Sequence, residues 1–447
     1  MKKSLILIST SLLILRASLS AQQHAWSLEE CIKYAIDNNI QIKQQAVQTR
    51  VQKNTLDLDK LGLLPTLNGQ AQHQYSFGRA LNLNSYQFYS NQTLLSDYLY
   101  VGGNLNLFKG LQNYNTIQKD KYQLLASEQD LQRIKDNVSL NVALAYLQVL
   151  LNRELVNVNQ NQLDITRQQI EKTRKMVDAG SVAKGNLLQI EAQAAQEELN
   201  LINVKNQLDI SYLNLTQLLE LQSPEGFEVV VPEIIVAQDT SIAGDVNEIY
   251  KLAVEARPEI KSSELKLTAS QYDLRIARGA RSPNLTLSQS YGTRYTYINN
   301  LPGQSSFQDQ LKNNASYGVG VSMNVPILNG WQVNKGITNS KLAVENSRYS
   351  LEATKKQLYK DIQQAFTDAE ASLKKYNASA KAVSSTAESF RYTEQKFNVG
   401  MLAPVDYNAA KTQLLNAQSD MSQAKYEYIF KTKVLDFYKG LPLNLNK

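Results

Sequence analysis

Thr66-Leu67-Asn68-Gly69-Gln70-Ala71-Gln72-His73-Gln74-Tyr75-Ser76-Phe77-Gly78 alternates with period two. Leu67, Ala71, Tyr75 and Phe77 fall on one side and Thr66, Asn68, Gln70, Gln72, Gln74 and Ser76 on the other, which is the pattern of a strand with one oily and one watery face. Pro65 ends a helical pattern just before it. A second strand is expected within Leu94 to Phe108. The arrangement then returns: Leu285, Leu287, Tyr291 and Tyr295 oppose Thr286, Ser288, Ser290, Arg294 and Thr296, and Val319, Val321, Met323 and Val325 oppose Gly318, Gly320, Ser322 and Asn324. Each strand is about 10 to 13 residues long, and a tilted membrane strand needs about 9 to 11. No stretch after the N-terminal segment reaches the roughly 18 consecutive apolar residues of a transmembrane helix; the best, Val142 to Leu151, contains Gln148. A membrane is therefore entered by strands. Four strands cannot close a barrel, and open edges in lipid leave backbone groups unpaired, so oligomerisation is required. Eight strands from two chains or twelve from three are the smallest closures.

The recurrence extends along the whole chain. Ser27-Leu28-Glu29-Glu30 aligns with Asp245-Val246-Asn247-Glu248, Ala35 with Ala253 and Ile42 with Ile260; further on, Val177-Asp178-Ala179-Gly180 aligns with Phe397-Asn398-Val399-Gly400. The expected organisation is a first repeat over 21–221, a joint over 222–244 carrying Pro224, Gly226, Pro232 and Gly244, and a second repeat over 245–447. Residues 28 to 62 read as one helix opened by a capping box of Ser27 and Glu30, and Asp245 to Ala280 as its copy. After the strands, Gln112 to Asp178 and Gln332 to Asn398 are Pro-free and carry heptad stripes. In both, the stripe shifts by four residues, from Val138 to Val142 and from Leu358 to Ile362, which is a stutter inherited by both copies. Further helices follow Gly185 and Val405. Each copy then supplies one continuous column and one spliced from two shorter helices, a wall segment about 100 Å tall at 1.5 Å per residue, crowned by a β-hairpin.

Composition narrows the function. Among 447 residues, 24 Tyr against 10 Phe suit surfaces between oil and water. One cysteine, Cys31, excludes an intrachain disulfide and is simplest as a buried apolar side chain; His24 and His73 are too few for a histidine metal site, and His73 shares the parity of Leu67 and Tyr75. No Gly-x-Ser-x-Gly elbow is present, so neither catalysis nor a cofactor is expected. Lys2 and Lys3, the apolar run Leu5 to Leu15, and Ser18 and Ser20 before Ala21 read as a signal peptide over 1–20, with no cysteine at 21 to accept a lipid anchor. Loss of Lys2, Lys3 and Arg16 takes the formal charge from +6 to +3. A near-neutral mature chain is not built for nucleic acid. Tyr86, Phe88, Tyr89, Tyr291, Tyr295 and Tyr297 are placed to form an aromatic girdle at a membrane interface.

Two turns carry a resemblance. Phe397-Asn398-Val399-Gly400-Met401-Leu402-Ala403-Pro404-Val405-Asp406, with Ala409, Ala410 and Gln413 after it, resembles the tip turn of the TolC-like outer membrane efflux proteins. Met176 to Asn186 is its weaker partner, and Val325-Pro326-Ile327-Leu328-Asn329-Gly330 and Leu107-Phe108-Lys109-Gly110 resemble the family's strand-to-helix turns. The resemblance covers residues 25 to 442. It implies an α + β membrane protein in which a duplicated unit gives four strands to a trimeric 12-stranded β-barrel in outer membrane lipid, above a long coiled-coil-like α-helical periplasmic barrel. The implied partners are two further copies, a periplasmic adaptor and an inner-membrane efflux or secretion pump, for which the duct is a passive exit; the alternative is a periplasmic helical-hairpin adaptor. Asp406, Gly400, Gly180, Asn186 and Leu402 would border the periplasmic entrance, and Val399, Met401, Ala403, Ser181, Val182 and Lys184 would meet the adaptor. Arg294, Gln72 and Ser322 would face the barrel lumen. Asp406 matches the family's first acidic entrance position, whereas Ala409 stands where some members have a second Asp and Leu402 where an Arg can lock the closed state. Gly180 and Gly400 are also explained as helix caps alone, and Asp406 as a helix N-terminal acid.

Overall fold

The structure, a computed structural model, describes residues 25–81, 86–232, 244–299 and 301–444. The expected signal peptide lies outside the described residues, as does 233–243 of the joint. The first copy runs β1 (Ala25–Trp26), α1 (Leu28–Asn38), α2 (Ile40–Leu61), β2 (Thr66–Leu81), β3 (Phe88–Lys109), α3 (Gln112–Asp178) and α4 (Lys184–Leu218), with β4 (Glu228–Val229) in the joint. The second runs α5 (Val246–Ala256), α6 (Pro258–Gly279), β5 (Asn284–Ile298), α7 (Phe307–Asn313), β6 (Ser316–Asn324), α8 (Gln332–Asn398) and α9 (Pro404–Tyr438). Helix lengths match between copies: 11, 22, 67 and 35 residues in each. Two compact units cut across the copies, one of Gln48–Glu128 with Ser262–Glu352, the other of the segments up to Val47, Gln129–Lys261 and from Ala353 onward.

The single helices expected over 28–62 and 245–280 are each two. Asn39 and Arg257 leave the helical region at ψ 131 in both cases. In the second copy Pro258 disfavours helical backbone at the residue before it and then starts α6. The first copy has no proline there. Instead the Asn39 side chain accepts a hydrogen bond from the Gln41 N–H at 2.9 Å, satisfying a donor freed at the break, and donates to the Leu218 carbonyl at the end of α4 at 3.2 Å.

The most apolar run is the core of the larger unit. Val142, Ala143, Tyr146, Leu147, Val149 and Leu150 of α3 are buried against Leu28, Cys31 and Ala35 of α1 and Leu215 and Leu219 at the end of α4. Each such aliphatic side chain contributes about 1.5–3 kcal/mol on burial. The short strands pair in parallel, Ala25 with Glu228 and Trp26 with Val229, and the buried Tyr146 hydroxyl lies 2.6 Å from the Val230 carbonyl and 3.1 Å from that of Trp26. Both sides of each phase shift are buried: Val138 with Val142, and Leu358 with Ile362.

The smaller unit holds a four-stranded antiparallel sheet in the order β2-β3-β5-β6, so the two copies join along β3 and β5. At the foot of β3, Gly110 adopts φ +56. A Cβ on Gly110 would collide with the Gly279 carbonyl oxygen, and one on Gly279 with that of Gly110, so the strand-to-helix turn and the end of α6 need glycine on both sides. The segment 299–315 was not expected to contain a helix. Ser306 caps α7, its hydroxyl accepting from the Asp309 N–H at 3.2 Å. This segment completes an edge: β6 pairs β5 only as far as Gly292, and beyond it Gln310 bonds both backbone groups of Thr296 and Gln304 both of Ile298, at 2.6–3.0 Å. Amide side chains there replace a missing strand.

Candidate functional site

The two tip turns share one backbone geometry. Gly180 and Gly400 have φ +75 and +77. The Gly180 N–H donates to the Val177 carbonyl at 2.9 Å and Ser181 N–H to Met176 at 3.0 Å; Gly400 N–H donates to Phe397 at 3.0 Å and Met401 N–H to Lys396 at 2.9 Å. This is the Schellman closure of a helix, and glycine meets the positive φ it demands. The turns lie side by side: Lys172 Nζ donates to Asn398 Oδ1 at 2.8 Å, and a cavity of about 340 Å³ between them is lined by Val182, Asn186, Ile190, Gly400, Leu402 and Thr173 among others.

Within this pair, the candidates divide. Val399 and Met401 are 69% and 76% exposed, with Ala403, Ser181 and Lys184 also exposed, whereas Val182, Asn186 and Leu402 are half-buried. Asp406 is exposed on the first turn of α9, with Pro404 at its start and Ala403 making no side-chain cap. Tyr407 beside it is buried, stacked on Phe397 at 4.5 Å and tilted against Phe390 at 5.4 Å, and burial lifts its phenol to about 12.

A buried ion pair higher on the same helices escaped the sequence reading. Lys411 of α9 and Glu197 of α4 are both 3% exposed, with Nζ 3.6 Å from Oε1. Lys411 also donates to the Gln162 carbonyl at 3.1 Å and to the Thr166 hydroxyl of α3, while Glu197 accepts from Gln193 at 3.1 Å, Gln162 at 3.4 Å and Thr166. Burial pulls the Lys411 ammonium below its ordinary range and the Glu197 carboxylate opposes that. Three helices, two from copy one and one from copy two, are thereby fixed at one point. Heptad reading gave no signal for it, since charge at a core position looks like an ordinary solvated residue.

The sheet has the two faces its alternation predicts. Gln72 is in register with Tyr98 and Tyr98 with Arg294, while Ser322 is in register with Thr286, all on the polar face. Val321 opposes Leu287 and Met323 opposes Leu285 on the apolar one, where Tyr317, Val319, Val321 and Met323 are all more than 60% exposed in the single chain. His73 also lies there, with Nδ1 2.5 Å from Oδ1 of its cross-strand partner Asp97. Among the described residues no cluster of three or more metal-ligating side chains occurs.

The sequence profile of the outer membrane efflux protein family matches residues 31–220 and 249–436, one block in each copy. The outer membrane efflux protein BepC of Brucella suis is 22% identical over 346 residues, 75% of this chain and 67% of BepC. The pyoverdine export outer membrane protein OpmQ of Pseudomonas aeruginosa is 27% identical over 207 residues, 46% of this chain and 40% of OpmQ. In three dimensions the Campylobacter jejuni CmeC outer membrane channel superposes with a TM-score of 0.79 at 18% identity, covering 94% of this chain and 87% of CmeC. The open state of the Neisseria gonorrhoeae MtrE outer membrane channel gives 0.74 at 18% identity, covering 96% and 93%.

Proposed function

This chain belongs to the outer membrane efflux protein family, and we propose that it works as a homotrimeric exit duct, opened when a periplasmic adaptor and an inner-membrane pump dock on it. Its place is the outer membrane of a Gram-negative cell, with a periplasmic extension, and its fold is that of the TolC-like channels. No helix among the described residues is long and apolar enough to cross a membrane. The observation that carries the reading is the sheet: four amphipathic strands with β2 and β6 each left with an unpaired edge. Three copies joined β6 to β2 close twelve strands, bury every edge, turn the apolar face to lipid and the polar face to a wet lumen.

Passive conduction then needs only a lumen and an entrance. The paired tip turns supply the entrance, with Asp406 facing the axis; three carboxylates in a narrow mouth concentrate cations and disfavour anions. Val399 and Met401 offer the adaptor exposed apolar contacts on turns whose backbone is already fixed. Since Leu402 carries no charge, closure rests on helix packing around Tyr407 and the Lys411–Glu197 pair.

The test is assembly and conduction by one preparation. Detergent extracts of outer membranes should yield heat-resistant trimers that give discrete conductance steps in planar bilayers. Val321→Lys, on the apolar face, should reduce assembled trimer by placing about 2 to 4 kcal/mol of charge in lipid, while Ser322→Lys on the polar face should assemble. A soluble periplasmic monomer, or equal assembly of the two variants, overturns the reading.

A further inference from the structure

Along the rungs that run from Thr66 to Ser76 of β2, the polar face of the sheet carries one ionised side chain. From Thr66 to Ser76 on β2 and through their register partners on β3, β5 and β6, the residues are Ser, Thr, Asn, Gln, Gly, Leu, Ile or Tyr except at Arg294. No carboxylate pairs with that guanidinium among the described residues, although this chain elsewhere pairs its arginines freely, as Arg257 with Asp136 and Arg174 with Glu191. What lies beside it is aromatic. Tyr98 is the register partner of Arg294, with its ring centroid 5.9 Å from the guanidinium carbon, and the Tyr100 ring lies 5.9 Å beyond that of Tyr98 at an interplanar angle of 19°. Gly102 makes this platform possible, because a side chain there would collide with the Tyr100 ring.

Arg294, Tyr98 and Tyr100 line a cavity of about 560 Å³ together with the segment Leu301–Ser305, Gln310 and Asn314. That volume suits a small organic ligand. These lining residues are pinned to β5: Gln304 bonds the backbone of Ile298, Gln310 that of Thr296, and Asn314 donates to the Arg294 carbonyl at 2.8 Å. A site held open in this way is not charged the entropy of ordering it on binding.

An unpaired guanidinium offers two parallel N–H donors to a planar carboxylate, and the adjoining rings offer a stacking surface to a flat aromatic body. We infer that Arg294, Tyr98 and Tyr100 form a binding site for small aromatic carboxylates, compounds with an anionic head on a flat ring. That this site lies on the path of cargo rests on the duct reading above; that it binds such anions does not.

The probe is 5-fluorosalicylate, followed by fluorine NMR with the detergent-purified full-length protein. Wild type should broaden the signal with millimolar affinity, and Arg294→Gln should weaken binding about tenfold or more, as the loss of a charge-assisted bidentate contact implies. Arg294→Lys, which keeps charge and loses the fork, should fall between. Tyr98→Leu should weaken fluorosalicylate but leave competition by inorganic phosphate unchanged. Equal affinity in wild type and Arg294→Gln overturns the site, as does equal binding of uncharged fluorobenzyl alcohol. Heat-resistant assembly checks that each variant is folded, and Arg294→Lys keeps the test decisive if the Gln variant fails to assemble. Bilayer recording separates the two proposals. Conductance steps without Arg294-dependent binding leave the duct and remove the site, while Arg294-dependent binding without conductance leaves the site and removes the duct.

Discussion

The turns at Gly180 and Gly400 differ by 2° in φ and use the same pair of backbone hydrogen bonds, yet their side chains have parted. Copy two sets Phe397, Pro404, Asp406 and Tyr407 around its turn, where copy one has Val177, Lys184, Asn186 and Leu187. The same split recurs higher up. Gln162 and Thr166 correspond to Ala382 and Thr386, and Glu197 to Ala417; Thr386 only bonds back to Ala382 and Val383 of its own helix. The backbone solves a problem that both copies share, reversing a long helix. The side chains answer to different neighbours. Duplicated positions are therefore a built-in control: where a contact exists in one copy only, a substitution should hurt there and pass unnoticed at its counterpart.

The largest effect is expected at the buried ion pair. Lys411→Met leaves Glu197 buried without its counter-charge and should cost about 3–5 kcal/mol, whereas Thr386→Ala, at the copy-two counterpart of the Thr166 that joins this cluster, should be nearly silent. Adding Glu197→Leu to Lys411→Met should recover most of the loss, because an apolar pair replaces an ionic one. Thermal midpoints of detergent-purified protein measure all three, and equal midpoints for Lys411→Met and Thr386→Ala would break the comparison.

Next come the strand-to-helix glycines. Gly110 and Gly330 adopt φ +56 and +60, but only Gly110 is hemmed in by backbone; a Cβ on Gly330 meets nothing within 4 Å. Gly330→Ala should cost about 1–2 kcal/mol for left-handed backbone. Gly110→Ala should cost clearly more, since the Gly279 carbonyl must also move.

A third contrast depends on pH. Asp120 of α3, buried beside Asp59, has no acidic counterpart in copy two, where Ser340 and Ala277 stand at the matching positions. Burial and a hydrogen bond with Asp59 raise its pKa to about 6, against the opposing pull of Lys119, whose Nζ is 3.5 Å away. The folded state thus holds this proton more tightly than the unfolded one. Its contribution to stability is fully present below about pH 4 and is lost as pH rises through about 6. Asp120→Asn should accordingly raise the thermal midpoint at pH 8 and change it little at pH 4. A gain of the same size at both values would place the effect elsewhere.

What the sequence disclosed follows from the range of the forces involved. Pro-free heptads and period-two alternation are local, so both 67-residue helices were readable to their ends and three strands nearly so, whereas β3 begins at Phe88, before the expected Leu94, and runs for 22 residues where about 10 to 13 were expected. Pro258 was an equally local signal for the break before α6, and the Ser306–Asp309 cap for α7; both were there to be read. Asn39 was not, because its break depends on the Leu218 carbonyl, 179 residues away. Lys411 and Glu197 are hidden for the same reason. At the tip, glycine, proline and aspartate are legible as helix ends, but nothing local says which of them would face the axis of the proposed trimer.

That last question is the smallest effect and the sharpest use of the comparison. Asp406 is the third residue of α9, so its charge favours the helix dipole whether or not it faces a pore, and Asp406→Asn should cost under about 1 kcal/mol and leave trimers intact. If it rings the entrance, the same change should lower cation selectivity and block by multivalent cations, most visibly at low salt where screening is least. Asn186→Asp is the reciprocal change at the other turn. It should raise cation preference, and by less, because Asn186 is half-buried while Asp406 is exposed. Single-channel reversal potentials for the two variants decide the matter. Opposite shifts assign both turns to the entrance; a shift with Asp406→Asn alone assigns it to copy two; no shift in either leaves Asp406 as a helix-terminal acid and the entrance lined by something other than the residues that differ between the copies.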